Sequence, residues 1–308
     1  MRDVFIKELV RQAAKNPNIV LITGDLGFGV LDEYRSRFPR QFINAGLTEP
    51  HMASMAAGMA KEGKKVFTYS IGNFVSLRAL EQIRIDIAYH NANVTAVCIG
   101  GGLSYGQLGM THHATEDLSI MRALPNMTVA VPGDDFEVES ITRWICAHDG
   151  PAYLRLDKTS MENTNEKEAF NFSKFRKLRA DRDITLVASG GILKEALTAA
   201  DELESNGIGA RVLSAHSLRP FDAQSILKAV KETGGIVTIE ENVIEGGLGG
   251  AVAEVCLEAG VIPKKFYRIG LRNGFSSVVG TQEYLRSCYG LDAKAIVEKV
   301  KELVGWHG

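Results

Sequence analysis

Chemically versatile side chains lie in predicted loops that follow successive strands. They are Asp25, Glu49, His51, Phe74, His112, His113 and Arg155. The pair His112 and His113 sits in a glycine-rich loop, where exposed imidazoles can exchange protons near neutral pH. From the residues alone, two structural explanations stay open: a loop histidine packed for shape, and an acidic residue placed at the positive end of a helix.

Glu49 lies in the stretch 41–63, QFINAGLTEPHMASMAAGMAKEG. A short β-like run breaks at Gly46, and Thr48 is placed to cap a helix whose first turn holds Glu49 and Pro50. The helix is rich in alanine and glycine, so another backbone or a flat ligand can approach it closely. This pattern predicts an acidic side chain presented at a strand-to-helix junction.

Several familiar chemistries lack their sequence motifs. The histidines do not have HExxH spacing, so a metal bound directly by this chain is not predicted. No GxGxxG or GxxxxGK[ST] pattern is present, and the cysteines fit no nucleophile motif. The glycines at 246–250 fit either a phosphate cradle or a tight turn before a helix, and both interpretations stay open.

The elements that position these residues alternate between apolar strands and amphipathic helices. Strands are predicted at 18–23, 65–69, 94–99, 128–131, 152–156, 184–189, 210–214 and 236–240, and helices at 2–16, 32–38, 76–90, 118–124, 135–147, 193–205 and 222–233. This order predicts an α/β protein with two doubly wound, parallel-sheet domains at 1–160 and 181–308. The polar segment 161–180 is predicted to be the linker, with room for one edge strand.

Ligands on parallel sheets collect at the carboxyl ends of the strands. The loops after Ala45, Tyr69, Ile99 and Leu156 are therefore predicted to converge on one crevice. That crevice would hold most of the candidate side chains.

Composition narrows the class of protein. The chain has 308 residues, 45% hydrophobic and 23% charged, with a formal net charge of −2, which favours neither nucleic acid nor an anionic membrane surface as partner. Four widely spaced cysteines without a CxxC pair favour a reducing, cytoplasmic location. The N-terminal segment resembles an amphipathic helix more than a signal peptide, and no apolar run approaches the length of a membrane span.

Three segments resemble the transketolase family. The run 44–59, NAGLTEPHMASMAAGM, is similar to the segment with the cofactor-activating glutamate, and 106–134, GQLGMTHHATEDLSIMRALPNMTVAVPGD, to the segment after it in transketolase and 1-deoxyxylulose-5-phosphate synthase. The run IVTIEENVIEGGLGGAVAE resembles the family's C-terminal domain. The GDG motif and downstream Asn of the family's amino-terminal domain are not matched.

The resemblance implies one subunit of a split transketolase. Its two domains would be a thiamine-diphosphate pyrimidine-binding domain followed by a transketolase C-terminal domain. An N-terminal partner subunit would carry the diphosphate site and Mg²⁺, and the two chains would form an α2β2 assembly. Activity is expected only with that partner.

The resemblance also assigns roles to individual residues. Glu49 would hydrogen-bond the far ring nitrogen of the cofactor's aminopyrimidine and promote its imino form, and Phe74 would stack on that ring. Asp25 would lie near the cofactor. His112 would assist proton transfer at the substrate carbonyl, and Arg155 would bind a substrate phosphate or another anion.

Two positions depart from the family pattern. Leu108 replaces an Asp that contacts a substrate hydroxyl, and a buried leucine cannot accept that hydrogen bond. Pro50 replaces a more usual Gln, Phe or His beside the glutamate. These departures argue against an ordinary ketose phosphate donor and for a specialised two-carbon transfer, on an unusual sugar or a sugar bound to a carrier.

Three functions remain in competition. The leading one is transfer of a ketol unit between sugars with thiamine diphosphate, which the Thr-His-His loop favours. The second is the β subunit of a 2-oxo acid decarboxylase or dehydrogenase, or a synthase acting on pyruvate. The third is a non-catalytic assembly subunit, against which the joint presence of Glu49, His112 and Arg155 argues.

Overall fold

The computed structural model describes residues 1–158, 161, 169–272 and 274–306. The first half of the chain supplies β1 (Ile19–Thr23), β2 (Phe42–Asn44), β3 (Lys65–Ile71), β4 (Val94–Ile99), β5 (Thr128–Ala130) and β6 (Ala152–Leu156). These strands pair only in parallel with one another, in the order β5-β6-β4-β3-β1-β2. β1 and β4 are buried at every position, as expected of a parallel sheet covered on both faces.

The second half supplies β7 (Arg176–Arg179), β8 (Ile184–Ser189), β9 (Ala210–Ser214), β10 (Ser217–Arg219), β11 (Ile236–Val243) and β12 (Phe266–Leu271). A second, five-stranded sheet has the order β12-β11-β8-β9-β7. β7 joins it antiparallel, and β10 crosses to the first sheet, where it pairs antiparallel with β5. The predicted α/β architecture with two parallel sheets is confirmed, and each sheet has one antiparallel edge strand.

Helices cover the faces of both sheets. They are α1 (Arg2–Ala13), α2 (Asp32–Arg37), α3 (Glu49–Lys61), α4 (Leu80–Gln82), α5 (Asp117–Ala123), α6 (Asp135–Ala147), α7 (Leu193–Ser205), α8 (Ala223–Glu232), α9 (Leu248–Glu258), α10 (Gln282–Cys288) and α11 (Ala293–Val304). Side chains of Asp134, Asp222, Thr281 and Asp292 accept a backbone N–H at the start of their helices. In the described part of the chain, no helix is long and apolar enough to cross a membrane.

Some element boundaries differ from the sequence predictions for local reasons. α1 ends at Ala13 rather than at residue 16, because Asn16 precedes Pro17 and a residue before proline disfavours the helical conformation. The helix predicted at 76–90 begins at Phe74 and is divided: wide π-type turns at Phe74–Arg78 and Ile83–Tyr89 flank α4. Such wide turns are common at functional sites.

The predicted linker 161–180 is described only in part. Residues 162–168 lie outside the described residues, and β7 occupies the end of the range as an edge strand of the second sheet. The division into domains at 1–160 and 181–308 stays a prediction. The pairing of β10 with β5 ties the two halves together across that division.

A buried charge network also joins the two halves. Arg155, in β6, is 3% exposed, and its Nη2 donates a hydrogen bond of 2.7 Å to the carbonyl oxygen of Glu241 in β11. Its Nη1 lies 3.5 Å from Oδ1 of Asp117, which is fully buried at the start of α5. Gly101 packs so closely on this guanidinium that an added Cβ would lie 1.9 Å from the Arg155 Nε.

We expect Gly101→Ala to lower the free energy of unfolding by about 2 kcal/mol or more, because overpacking a tight interior forces side chains and backbone to shift. Gly58→Ala is the matched control: in α3 an added Cβ at Gly58 meets no atom within 4 Å. Alanine favours a helix over glycine by up to about 1 kcal/mol, so this variant should be more stable. Urea unfolding of both variants checks the prediction, and similar free energies for the two would contradict it.

Candidate active site

The loops at the carboxyl ends of β2, β3, β4 and β6 meet at one edge of the first sheet. Ser70, near the end of β3, donates a 3.1 Å hydrogen bond to Oε1 of Glu49. The Asn73 side chain, just after β3, donates to the carbonyl of Thr111 in the loop that follows β4. Gly100, at the start of that loop, donates a 2.8 Å bond to the Leu156 carbonyl at the end of β6. The predicted convergence is confirmed.

Glu49 is the first residue of α3 and is 0% exposed. Its Oε1 accepts from Ser70, and its Oε2 accepts a 3.0 Å hydrogen bond from Nη1 of Arg78. The helix starts where the sequence predicts, but Thr48 does not cap it with its side chain. The Thr48 hydroxyl instead donates to the Ala45 carbonyl at 2.8 Å.

The end of β1 forms the wall next to Glu49. An added Cβ at Gly24 would lie 3.5 Å from Oε1 of Glu49, an ordinary van der Waals distance, so the end of β1 borders the carboxylate directly. Asp25 follows with φ of 55°, a conformation that aspartate tolerates better than most residues. Its carboxylate accepts a 2.9 Å bond from the Asn44 amide, and this places Asp25 at the exposed rim.

Phe74 and His112 lie together on the other side of the crevice. Their ring centroids are 5.2 Å apart, and both residues are half-buried. Nδ1 of His112 lies 2.9 Å from the hydroxyl of Thr111, which fixes the direction of the imidazole. The ring centroid of Tyr105 is 6.4 Å from that of His112. The structure thus brings Glu49, Phe74 and His112 into one crevice, whereas His51 is exposed on α3.

His113 differs from its neighbour. It is fully buried, and burial lowers the pKa of its imidazole below the ordinary value. The ring is therefore neutral at pH 7 and packs the base of the loop. His112 is the imidazole that faces the crevice, so the explanation of a histidine packed for shape applies to His113.

Leu108 is 55% exposed, so the expectation of a buried leucine is wrong. The residue stands on the short helical turn Gly106–Leu108, at the mouth of a cleft of about 550 Å³. The cleft lies between the two halves of the chain, lined by Tyr105, Leu108 and Lys158 on one side and by 280–283 on the other. Nζ of Lys158 is 5.7 Å from the Tyr105 ring centroid.

Arg155 does not face the crevice. The family resemblance implied that it binds a substrate anion, but the buried guanidinium already contacts Asp117 and the Glu241 carbonyl. A substrate phosphate would have to compete with an internal carboxylate for a charge that solvent does not reach. In this structure Arg155 joins the two halves of the chain.

Two residues of the site were missed by the sequence analysis as partners of Glu49. Ser70 lies in a buried strand, where its hydroxyl gave no signal of its own. Arg78 did give a sequence signal. It follows Phe74 by four residues in a helical segment, a spacing that places two side chains side by side. Its guanidinium carbon lies 4.0 Å from the Phe74 ring centroid.

The arrangement fits one part of the implied cofactor. A buried carboxylate that Arg78 connects to an aromatic ring suits a flat heterocycle with a ring nitrogen. The described residues contain no group of three or more His, Cys, Asp or Glu placed to hold a metal ion. The residues present therefore fit the aminopyrimidine part of thiamine diphosphate.

Comparison with known families agrees with this geometry. The model of the transketolase pyrimidine-binding domain matches residues 1–163, and that of the transketolase C-terminal domain matches 173–296. The chain belongs to the transketolase family. The resemblance noted in the sequence is thereby confirmed.

Individual relatives show which part of the family the chain represents. It is 37% identical to the 6-deoxy-6-sulfo-D-fructose transketolase subunit SqwH of Clostridium sp., over 98% of this chain and 94% of that one. It is 33% identical to an apulose-4-phosphate transketolase subunit of Phocaeicola vulgatus, over 98% of this chain and 97% of that one. A solved structure of a split-gene transketolase, an inactive β4 tetramer, has a TM-score of 0.89 and 34% identity, covering 99% of this chain and 98% of that one.

The share of each relative that the chain covers shows whether the chain matches a whole subunit or only part of a longer protein. The chain spans only 48% of the 1-deoxy-D-xylulose-5-phosphate synthase of Syntrophotalea carbinolica, to which it is 35% identical. Against subunits of split transketolases it matches nearly end to end. The prediction that the transketolase chain is of the split kind is confirmed, and the synthase is the more distant relative.

The buried His113 makes stability depend on pH. Its pKa is lowered in the native state, whereas an unfolded histidine keeps a pKa near about 6.5. Below that pH the unfolded chain gains a proton that the native chain resists, so native stability is complete above it and falls as the pH decreases. Urea unfolding at pH 7.5 and 5.5 should show a smaller loss for His113→Leu than for the unaltered chain. An equal loss in both would contradict the prediction.

Proposed function

We propose that the chain is the C-terminal subunit of a thiamine-diphosphate-dependent transketolase that transfers a two-carbon ketol unit between sugar substrates. The observation that carries the proposal is the fully buried Glu49 carboxylate at the start of α3, which Arg78 connects to the Phe74 ring beside His112. In this proposal the enzyme acts in the cytoplasm.

An N-terminal partner subunit completes the active site in this proposal. It carries the diphosphate site and Mg²⁺, and the two chains assemble as α2β2. Two facts support a partner: the near end-to-end match to subunits of split transketolases, and the inactivity of the similar split-gene transketolase as a tetramer of β chains. The described part of this chain offers no metal-binding cluster of its own.

Thiamine diphosphate, when bound, supplies a thiazolium carbon that stabilises a carbanion. This chain contributes the groups that hold and activate the other ring. Glu49 would hydrogen-bond a pyrimidine nitrogen and favour the imino form, and Ser70 fixes the direction of its carboxylate. Phe74 supplies an aromatic face, and Asp25 lies at the rim. His112, oriented by Thr111, exchanges a proton at the substrate oxygen.

The cleft beside Leu108 is the proposed place for the remote end of the sugar. Tyr105 connects it to the crevice: its ring centroid is 6.4 Å from that of His112 and 5.7 Å from Nζ of Lys158. The ammonium group is therefore at most about 12 Å from the His112 ring, within reach of an anionic group at the far end of a sugar. The exposed Leu108 favours a donor without a hydroxyl at that point. The names of both similar transketolase subunits describe sugars with an anionic group, a sulfo group or a phosphate.

We expect Glu49→Gln to reduce turnover of the assembled enzyme by about 10²-fold or more, since glutamine keeps the size but not the carboxyl group. The fold should survive, and melting temperature and subunit assembly report on that. Glu62→Gln, at the exposed end of the same helix, is the control and should retain activity. Near-normal turnover of Glu49→Gln at saturating cofactor would reject the assignment.

Testing pyruvate against ketose phosphates as donors separates this function from a pyruvate-dependent synthase. No turnover with either donor would favour an assembly subunit.

Substitution of two basic residues separates substrate binding from stability. Lys158→Met should raise KM for anionic donors about tenfold and leave the melting temperature unchanged, because the side chain is exposed. Arg155→Met should lower the free energy of unfolding by about 3 kcal/mol, because it leaves the buried Asp117 unpaired. Steady-state kinetics and urea unfolding of the two variants check both effects. A selective effect of Arg155→Met on KM, with normal stability, would restore the sequence-based role of that arginine.

A further inference from the structure

Arg78 contacts both groups that the proposed cofactor site needs. Its Nη1 donates to Oε2 of Glu49 at 3.0 Å, and its guanidinium carbon lies 4.0 Å from the centroid of the Phe74 ring. The first contact uses the carboxylate oxygen that Ser70 leaves free. The second covers a face of the aromatic ring. One side chain thus occupies the hydrogen-bonding and the stacking position together.

The guanidinium is chemically suited to this double role. It is planar, it donates hydrogen bonds in its own plane, and it stacks on aromatic faces. An aminopyrimidine is also planar, and it would meet the same carboxylate and the same ring. The two groups would compete for one place if the aminopyrimidine uses Oε2 of Glu49, the oxygen that Ser70 leaves free, and the Phe74 face that Arg78 covers.

We infer that Arg78 fills the pyrimidine site of the cofactor-free subunit and must leave it before the cofactor binds. The inference rests on the proposed function and adds a residue that sets cofactor affinity and the rate of loading. Before loading, the arginine gives the buried carboxylate a cationic partner. During loading, Glu49 exchanges that partner for a ring nitrogen while its bond to Ser70 is kept.

The position of Arg78 allows this exchange. Its side chain is 47% exposed, whereas that of Glu49 is 0% exposed, so the arginine can turn into solvent and the glutamate cannot. A buried carboxylate without a partner is costly, and a solvated guanidinium is not. Arg78 also ends the wide turn Phe74–Arg78, where the backbone changes to the ordinary helical turn of α4.

The test is cofactor binding to the assembled, cofactor-free enzyme, measured by titration calorimetry with thiamine diphosphate and Mg²⁺. Stopped-flow protein fluorescence gives the association rate. Arg78→Met should bind about tenfold more tightly and load faster, because no ion pair has to break. Arg78→Lys keeps the charge without the planar stacking group and should fall between the two. Arg84→Met is the control: Arg84 lies in the same helical segment, is 60% exposed, and should leave affinity unchanged when replaced.

Equal binding by Arg78→Met would mean that the arginine does not compete with the cofactor, and weaker binding would mean that it stays beside the bound cofactor. Either result would overturn the inference. If that variant does not fold, weaker binding by Arg78→Lys would have the same meaning. The melting temperature of the cofactor-free subunit should fall in Arg78→Met, and the increase on adding cofactor should be larger than in the unaltered enzyme. No binding at all by the unaltered assembled enzyme would reject the proposed function itself.

Discussion

The buried guanidinium of Arg155 is the constraint on which the arrangement of the two halves depends. A charge that is 3% exposed has to be neutralised inside the protein, and Asp117 and the Glu241 carbonyl do this from two different elements. Tyr153 supports Asp117 with a 2.6 Å hydrogen bond. Because Arg155 also packs on Gly101, the network fixes the start of the loop that carries His112 and Leu108.

The Glu49 carboxylate is also a buried charge that needs partners, but its cationic partner is exposed to solvent. It is buried as completely as Asp117, so it also needs donors, and Ser70 and Arg78 provide them. The partner of Asp117 is itself buried and cannot be replaced from solvent. The cationic partner of Glu49 is half exposed, so a ligand that enters from solvent can replace it. The same requirement thus produces a permanent structural link at Arg155 and an exchangeable contact at Arg78.

Sequence reasoning succeeded where local patterns determine structure. Apolar runs gave the parallel strands, and the carboxyl-end rule then placed Glu49, Phe74 and His112 in one crevice. It failed where a residue's direction depends on a distant partner. Arg155 meets Glu241 across 86 positions, and Arg78 meets Glu49 across 29. The three-residue β10 is too short to show a periodicity, and its partner β5 lies in the other half of the chain. The exposure of Leu108 follows from the cleft between the halves, which no single segment encodes.

The same long-range contacts hold the two walls of the cleft beside Leu108 together. Its two walls are bonded to each other: Gly280 donates to the Gly106 carbonyl at 3.3 Å, and the Gln282 amide donates to the Ser104 hydroxyl at 3.2 Å. β10 and the Arg155 network hold the two halves that carry these walls. Separation of the two walls would break those bonds, so the fold limits how wide the cleft can become. In the proposed function, selection among sugars would then depend on the side chains at its mouth, where the exposed Leu108 and Lys158 offer an apolar surface and a positive charge at separate points.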